Sequence, residues 1–114
     1  MRERRRLVVA TYNIHSCVGT DGRHDSERVA EVIRGLEADI VALQEVESPR
    51  DPHEDPEQLF WLARAAGFSW GVAGPTLHRG RHPFGNAVLS RWPVHTLRRI
   101  DLSVRGREPR GALD

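Results

Sequence analysis

The sequence contains no lysine, only one cysteine and no long apolar run. Its 17 basic residues are all arginine and are balanced by 16 acidic ones, so the formal net charge is +1 and selects no class of partner. The single cysteine, Cys17, excludes an internal disulfide framework. No segment approaches the roughly 20 apolar residues of a membrane-spanning helix. The expectation is a cytoplasmic globular protein without a transmembrane segment.

Residues 1–6 are predicted to form a charged tail. Four of the six are arginine: Arg2, Arg4, Arg5 and Arg6. The short apolar stretch that follows has no small-residue cleavage signal, which argues against a secretory peptide. Residues 7–114 are therefore taken as one folded unit.

Two short apolar segments, Leu7 to Ile14 and Ile40 to Val46, are rich in β-branched and aliphatic residues. Both are predicted to be strands buried on both faces. Asp25 or Ser26 is the expected N-cap of an intervening helix. Its apolar stripe has members at positions i, i+3, i+4 and i+7, which are Val29, Val32, Ile33 and Leu36. A crossover of this length joins parallel strands through a right-handed connection, so both strands end at one edge of a sheet.

Polar side chains occupy both of these strand ends. Ligand sites in open α/β sheets form at the carboxyl edge, where Asn13 and Glu45 are expected to meet. Mg²⁺ takes one or two protein carboxylates and keeps waters and phosphate oxygens as its other ligands. Glu45 would then hold the metal and Asn13 would orient a phosphate. The alternative is that Asn13 caps a turn and Glu45 is a solvated strand-end residue, and spacing alone does not decide between them.

The segment from Ser16 to His24 is predicted to be a loop at the same edge, because it contains two glycines and an aspartate. His15, Cys17 and His24 lack the paired, closely repeated spacing of zinc ligands. A turn is therefore preferred there to a zinc site.

A second helix is predicted after an acidic, proline-containing linker over residues 47–55. Asp55 is its expected N-cap, Pro56 its first residue and Gly67 its end. Its inward face is predicted to consist of Leu59, Leu62, Ala63 and Ala66.

The rest of the chain is predicted to alternate strands and loops. Phe68 to Ala73 is a short strand, and Gly74 to Gly85, with two prolines and three glycines, is a long polar loop. Asn86 to Ser90 and Val94 to Leu102 are predicted to be the two strands of a hairpin with a proline-containing turn. Asn86 itself is expected to be a structural turn residue rather than a catalytic one.

Four segments, in this order, resemble the endonuclease/exonuclease/phosphatase superfamily of DNase I-like metal-dependent phosphoesterases. They are Thr11 to His15, Asp39 to Val46, Phe84 to Pro93 and Arg107 to Leu113. The resemblance implies an α/β fold, the amino-terminal half of a four-layer α/β sandwich with a mixed sheet. Residues 7–114 would then be an incomplete domain, truncated at its carboxyl end.

The resemblance also implies a function, the hydrolysis of phosphoester bonds with Mg²⁺, or alternatively Mn²⁺. An aspartate-activated water would attack the phosphate, with Glu45 as a metal ligand and Asn13 as a catalytic residue. Arg107 or Arg110 would hold substrate phosphate, although an ion pair with Glu108 is an equally good account of either arginine. The substrate stays open among a nucleic acid, an inositol phosphate and a phospholipid headgroup.

Several catalytic segments of this family do not occur before Asp114. They are the histidine after the next strand, a Gly-Asp-X-Asn segment and a terminal Asp-His pair. Since each missing acid or base costs about 10²- to 10⁴-fold in rate, we expect a fragment that is inactive alone. The alternative is a non-catalytic fragment that binds phosphate or nucleic acid.

A consequence for stability follows from the same resemblance. In a two-sheet sandwich, the inner face of this half would meet water, which predicts a partly molten or insoluble chain. The residues assigned to that face are Val9, Val41, Leu43 and Val88.

Overall fold

A computed structural model of the chain describes residues 6–47, 57–79, 82–107 and 111–114. The elements are β1 (Val9–Asn13), a 3-10 turn (His15–Cys17), α1 (Ser26–Gly35), β2 (Ile40–Glu47), α2 (Glu57–Ala66), β3 (Trp70–Arg79), β4 (His82–Ser90), β5 (Arg99–Asp101) and β6 (Gly111–Leu113). No helix in this described part is long and apolar enough to cross a membrane.

The predicted strand–helix–strand unit is confirmed. β1 and β2 run parallel, with Asn13 opposite Gln44 in the register. Asp25 is the N-cap of α1, because its Oδ1 accepts a hydrogen bond from the Arg28 amide at 3.0 Å. This contact pairs one of the amides that a helix start leaves without an intrahelical partner. Asp39 performs a similar task at the opposite end of the sheet, where its Oδ2 accepts from the Val8 amide at 2.8 Å.

The four long strands form one mixed sheet in the order β1-β2-β4-β3, and β4 runs antiparallel to both of its neighbours. The helices cover one face of this sheet. Val41, Leu43 and Leu89 point into that layer and are fully buried. The α/β fold with a mixed sheet is therefore as predicted, and each fully buried aliphatic side chain of this kind contributes about 1.5–3 kcal/mol of transfer free energy.

The inward face of α2 agrees with the prediction, and the inward face of α1 is displaced. All four predicted α2 positions are buried. In α1 the buried residues are Val29, Ala30 and Ile33, whereas Val32 and Leu36 are exposed. The periodicity located the helix, but its buried stripe includes Ala30 in place of Val32 and Leu36. The predicted N-cap of α2, Asp55, lies outside the described residues.

The prediction that β1 is buried on both faces is wrong. Its residues alternate between exposed and half-buried, and Val9 is 60% exposed. β1 lies at the edge of the described sheet and packs only Ala10 and Tyr12 against the core. The four residues assigned to one water-facing surface are consequently divided between two faces. Val41 and Leu43 lie under the helices, and Val88 is half-buried on the same face as Val9.

The predicted loop from Gly74 to Gly85 is also wrong, because most of it belongs to a long hairpin. β3 and β4 pair as far as Arg79 and His82. Pro75 is tolerated because β3 is an edge strand and the register shifts immediately after it. Proline and glycine indicate a loop locally, but at a sheet edge they are compatible with pairing.

The predicted hairpin between β4 and Val94 to Leu102 is not formed. Only residues 99–101 of the second segment are a strand, and that strand, β5, pairs with β6 instead of β4. The second sheet packs against the face of the main sheet that the helices leave open. A Cβ atom at Gly74 would collide with the Leu113 side chain there. This close approach explains why glycine suits position 74.

Candidate functional site

The carboxyl ends of β1 and β2 form a polar edge on the face opposite the helices. Because Leu43 points into the helical layer, its neighbour Gln44 points to the other face, together with its register partner Asn13. Gln44 Nε2 donates to Thr11 Oγ1 at 2.9 Å, a contact between side chains that share this face. The predicted meeting of the two strand ends is therefore present.

A β-bulge decides where the Glu45 side chain lies. Leu43 pairs with Ala87 and Val46 with Gly85, so Gln44 and Glu45 together face the single residue between them on β4. Without the extra residue, strand alternation would place Glu45 beside Leu43 under the helices. The bulge instead turns the carboxylate to the polar edge, and Val46 returns to the core at 2% exposure.

Glu45 contacts the histidine that follows β1. His15 Nδ1 lies 2.7 Å from Glu45 Oε2, with the two side chains 67% and 33% exposed. The His15 amide donates to Asn13 Oδ1 at 3.0 Å, and Ser16 Oγ lies 3.5 Å from the Glu45 carbonyl oxygen. Asn13 and Glu45 are thus connected through one residue, and the turn-capping role considered for Asn13 is present in the structure.

Backbone strain is concentrated at this site. Of the five non-glycine residues with positive φ in the described part of the chain, four are here: His15 at 48°, Ser16 at 52°, Cys17 at 62° and Glu45 at 57°. Left-handed residues of this kind cost on the order of 1–3 kcal/mol each and persist only where the surroundings hold them.

Several contacts hold the strained turn in place. Cys17 is 1% exposed, and its carbonyl oxygen accepts from the Asp25 amide at 2.8 Å. Ile14 is also buried, and its amide donates to Gln44 O at 3.1 Å. The turn is therefore anchored to α1 on one side and to β2 on the other, which fixes His15 before any ligand binds.

An ion pair closes the outer part of the loop. Arg28 Nη1 and Nη2 donate to the two carboxylate oxygens of Asp21 at 2.9 and 3.2 Å. The Arg28 hydrogen bond holds the pKa of Asp21 at about 2, and the same contact raises the pKa of Arg28. A Cβ atom at Gly19 would collide with the guanidinium, so a side chain there would require Arg28 to shift.

A pocket of about 580 Å³ lies between the strained turn and the start of α1. Its lining includes Tyr12, Asn13, His15, Cys17 and Arg28. The polar edge is therefore accessible from this side, with Asn13 and His15 at the boundary.

Of the two arginines predicted to bind phosphate, Arg107 lies among the described residues. Arg107 lies in an exposed turn after β5, where its amide donates to Val104 O at 3.0 Å. Arg110 and its alternative partner Glu108 lie outside the described residues. Asn86, predicted to be structural, lies within β4 rather than in a turn, and its Nδ2 donates to Gly111 O at 3.0 Å.

The donor set at the edge has the chemistry of a hard-cation site. Glu45 offers carboxylate oxygens and Asn13 an amide oxygen, the ligand types that Mg²⁺ prefers. No cluster of three histidine, cysteine, aspartate or glutamate side chains suited to a metal occurs among the residues that the structure describes. A cation held here by this part of the chain would need water or phosphate oxygens as further ligands, which is usual for Mg²⁺.

Sequence analysis missed the contact between His15 and Glu45. The spacing of His15 argued against a zinc site, and its position two residues beyond Asn13 was not used to place it beside Glu45. Strand periodicity, extended past the strand end, would have placed its side chain on the same face as Asn13.

These features define an α/β fold with a mixed sheet, helices on one face, a second sheet on the other and a polar edge at the ends of parallel strands. The chain belongs to the Endonuclease/Exonuclease/phosphatase family, whose model matches residues 10–113.

Proteins similar to this chain are longer. The chain is 34% identical over 115 residues to the uncharacterised protein YbhP of Escherichia coli (strain K12), an alignment that covers 92% of this chain and 44% of YbhP. YbhP of Shigella flexneri matches to the same extent. The chain thus spans less than half of the length of the curated relatives that it matches.

Two solved structures are similar in fold. An endonuclease/exonuclease/phosphatase from Beutenbergia cavernae DSM 12333 superposes with a TM-score of 0.75 and 30% identity, covering 94% of this chain and 33% of that one. A protein of the same family from Leptotrichia buccalis C-1013-b has a TM-score of 0.70 and 16% identity, covering 95% and 48%. At that identity, the second structure supports the fold alone.

Proposed function

We propose that this chain carries the first half of the active site of a divalent-metal-dependent phosphoester hydrolase. Glu45 is the metal ligand that it contributes, and Asn13 orients the phosphate. The observation that supports this most strongly is the bulge at Glu45. The backbone there has a φ of 57° and turns a carboxylate from the helical layer to a polar edge, and such strain is typical of functional sites.

The chemistry needs a hard cation, Mg²⁺ or alternatively Mn²⁺. When bound, it neutralises the charge that develops on the phosphoryl oxygens. Glu45 holds it through carboxylate oxygen, and the Asn13 amide positions a phosphoryl oxygen beside it. The Asn13 Oδ1 contact with the His15 amide fixes the direction of the Asn13 amide group.

The substrate class in this proposal is a phosphate ester: a nucleic acid, an inositol phosphate or a phospholipid headgroup. Arg107 and Arg110 are proposed to hold its phosphate, and their guanidinium groups suit bidentate phosphate binding. The general acid and base of hydrolysis are not among the residues assigned here. We therefore expect the 114-residue chain to bind a divalent cation and phosphate but to hydrolyse phosphoesters at close to the background rate.

Mn²⁺ titration of the 114-residue chain, followed by water-proton relaxation, tests this proposal. Glu45→Gln should weaken binding by at least about tenfold, because it removes the charged ligand and keeps the side-chain volume. Glu37→Gln is the matched control, since Glu37 is an exposed glutamate that also has a positive φ, 49°. Equal Mn²⁺ affinity of Glu45→Gln and Glu37→Gln would remove Glu45 from the site.

A further inference from the structure

We propose that His15 is a positioning residue for the Glu45 carboxylate, an inference that rests on the proposed function. Its Nδ1 lies 2.7 Å from Glu45 Oε2, the length of a strong hydrogen bond to a carboxylate. Nδ1 must carry the proton in order to donate. The contact engages one carboxylate oxygen, and the other oxygen of the group remains available as a ligand atom.

The imidazole can position Glu45 because its own backbone is fixed. The His15 amide donates to Asn13 Oδ1, and the next two residues are held in left-handed conformations with Cys17 fully buried. The side chain itself is 67% exposed, so it is not placed by core packing. The His15 ring is therefore held by the strained turn, and its position is explained by the contact with Glu45 and not by burial.

Glu45 needs such a partner because its backbone sets the face of the sheet on which the side chain lies but does not fix its χ1 rotamer. It lies in a bulge, where the regular alternation of the strand is interrupted. Carboxylate ligands are commonly oriented by hydrogen bonds from outside the coordination sphere, and loss of such partners typically costs 10- to 100-fold in metal affinity.

Two substitutions separate the hydrogen bond from the backbone strain. His15→Asn keeps an N–H donor at the same number of bonds from Cα as Nδ1, and asparagine tolerates a φ of 48°. His15→Gly adopts this φ freely but has no donor. His95→Gly is the matched control, because His95 is an exposed histidine between β4 and β5.

The first measurement is made on the metal-free chain. Three-bond scalar couplings report the χ1 rotamer of Glu45. One rotamer is expected in the wild type, in His15→Asn and in His95→Gly, and averaging is expected in His15→Gly. A single unchanged rotamer in His15→Gly would overturn the proposal, whatever the metal affinity.

The second measurement is Mn²⁺ affinity. His15→Gly should bind about 10- to 100-fold more weakly, and His15→Asn should bind as the wild type does. If His15→Gly keeps full affinity while Glu45→Gln loses it, the positioning role is wrong and the proposed function stands. If Glu45→Gln also keeps full affinity, the proposed function fails and the rotamer measurement decides the His15 contact alone. Loss of affinity in His15→Asn with Glu45 still in one rotamer would identify His15 as a ligand itself and overturn positioning.

Discussion

Asn86 connects the two sheets, because its Nδ2 donates a hydrogen bond to the carbonyl oxygen of Gly111 at 3.0 Å. The two residues are 25 positions apart, and Asn86 lies directly opposite the bulge that contains Glu45. Position 86 is therefore next to the candidate site along the main sheet, and its side chain contacts the second sheet.

Asn86→Ala should lower the free energy of unfolding by about 1–2 kcal/mol, since it removes one hydrogen bond and leaves a partly buried carbonyl without this donor. Chemical denaturation measures the change. Amide hydrogen exchange at Arg98 and Asp114, which pair at the end of the small sheet, should accelerate more than exchange in β2. Asn86→Asp replaces the donor by an acceptor, so wild-type stability in that variant would contradict the assigned contact.

The packing of Leu113 over Gly74 gives a second prediction. Gly74→Ala should destabilise the chain by about 1–3 kcal/mol, because the new methyl group would collide with the Leu113 side chain. Leu113→Ala in the same chain should remove most of that penalty. A double-mutant cycle in thermal unfolding measures the coupling, and additive effects would show that the two residues are not in contact.

The ion pair between Asp21 and Arg28 predicts a pH dependence. The hydrogen bond from Arg28 lowers the pKa of the Asp21 carboxyl from 3.8 to about 2 in the folded chain. The pair therefore stabilises the fold fully above pH 3.8, and this contribution is lost as the pH falls from 3.8 through 2. Carboxylate ¹³C NMR should give an Asp21 midpoint near 2 in the wild type and a higher one in Arg28→Gln. The difference in melting temperature between wild type and Asp21→Asn should be largest above pH 4 and should shrink steadily as the pH is lowered through 2. A melting-temperature difference that stays constant between pH 4 and pH 2 would show that the ion pair between Asp21 and Arg28 does not cause it.

The exposed apolar side chains of the main sheet predict dye binding. Val9 and Trp70 lie in the same row across the sheet, on the face opposite the helices, and are 60% and 46% exposed. The 114-residue chain should therefore bind ANS at neutral pH, and Val9→Thr should reduce the fluorescence without loss of helical circular dichroism. A cooperative melt with no ANS fluorescence would show that this face is covered.

The elements that the sequence predicted are those whose signal is local. The stripe at Leu59, Leu62, Ala63 and Ala66 repeats with the period of a helix, and the segments on either side of α1 have strand composition. The β3–β4 hairpin was not predictable in the same way, because Pro75 indicates a loop unless its strand is known to lie at a sheet edge. Whether a strand lies at the edge depends on the order of strands in the folded sheet, which the local sequence does not determine.

The candidate site was predictable to a similar degree. Asn13 and Glu45 were found because they end two strands that a helical crossover makes parallel. The bulge that exposes Glu45 depends on its register with β4, and strict alternation from Leu43 would have placed it under the helices. The His15 contact depends on a left-handed turn of non-glycine residues, a conformation that sequence propensity disfavours.

The last prediction concerns the free-energy cost of a left-handed backbone conformation at Glu37 and Glu45. Glu37 follows α1 with a φ of 49°, at a position where helices usually carry glycine, and Glu45 has a φ of 57°. Glu37→Gly should therefore raise the free energy of unfolding by about 1 kcal/mol and leave Mn²⁺ affinity unchanged.

Glu45→Gly should likewise be more stable than Glu45→Ala by about 1 kcal/mol, because alanine keeps the left-handed penalty that glycine removes. Both Glu45 variants should lose Mn²⁺ binding, since neither has a carboxylate. Denaturant unfolding and Mn²⁺ relaxation on the same samples separate the two effects. Stability gained at position 45 together with lost metal binding would show that the strain is retained for the carboxylate, whereas equal stability of the glycine and alanine variants would mean that the backbone there is relaxed.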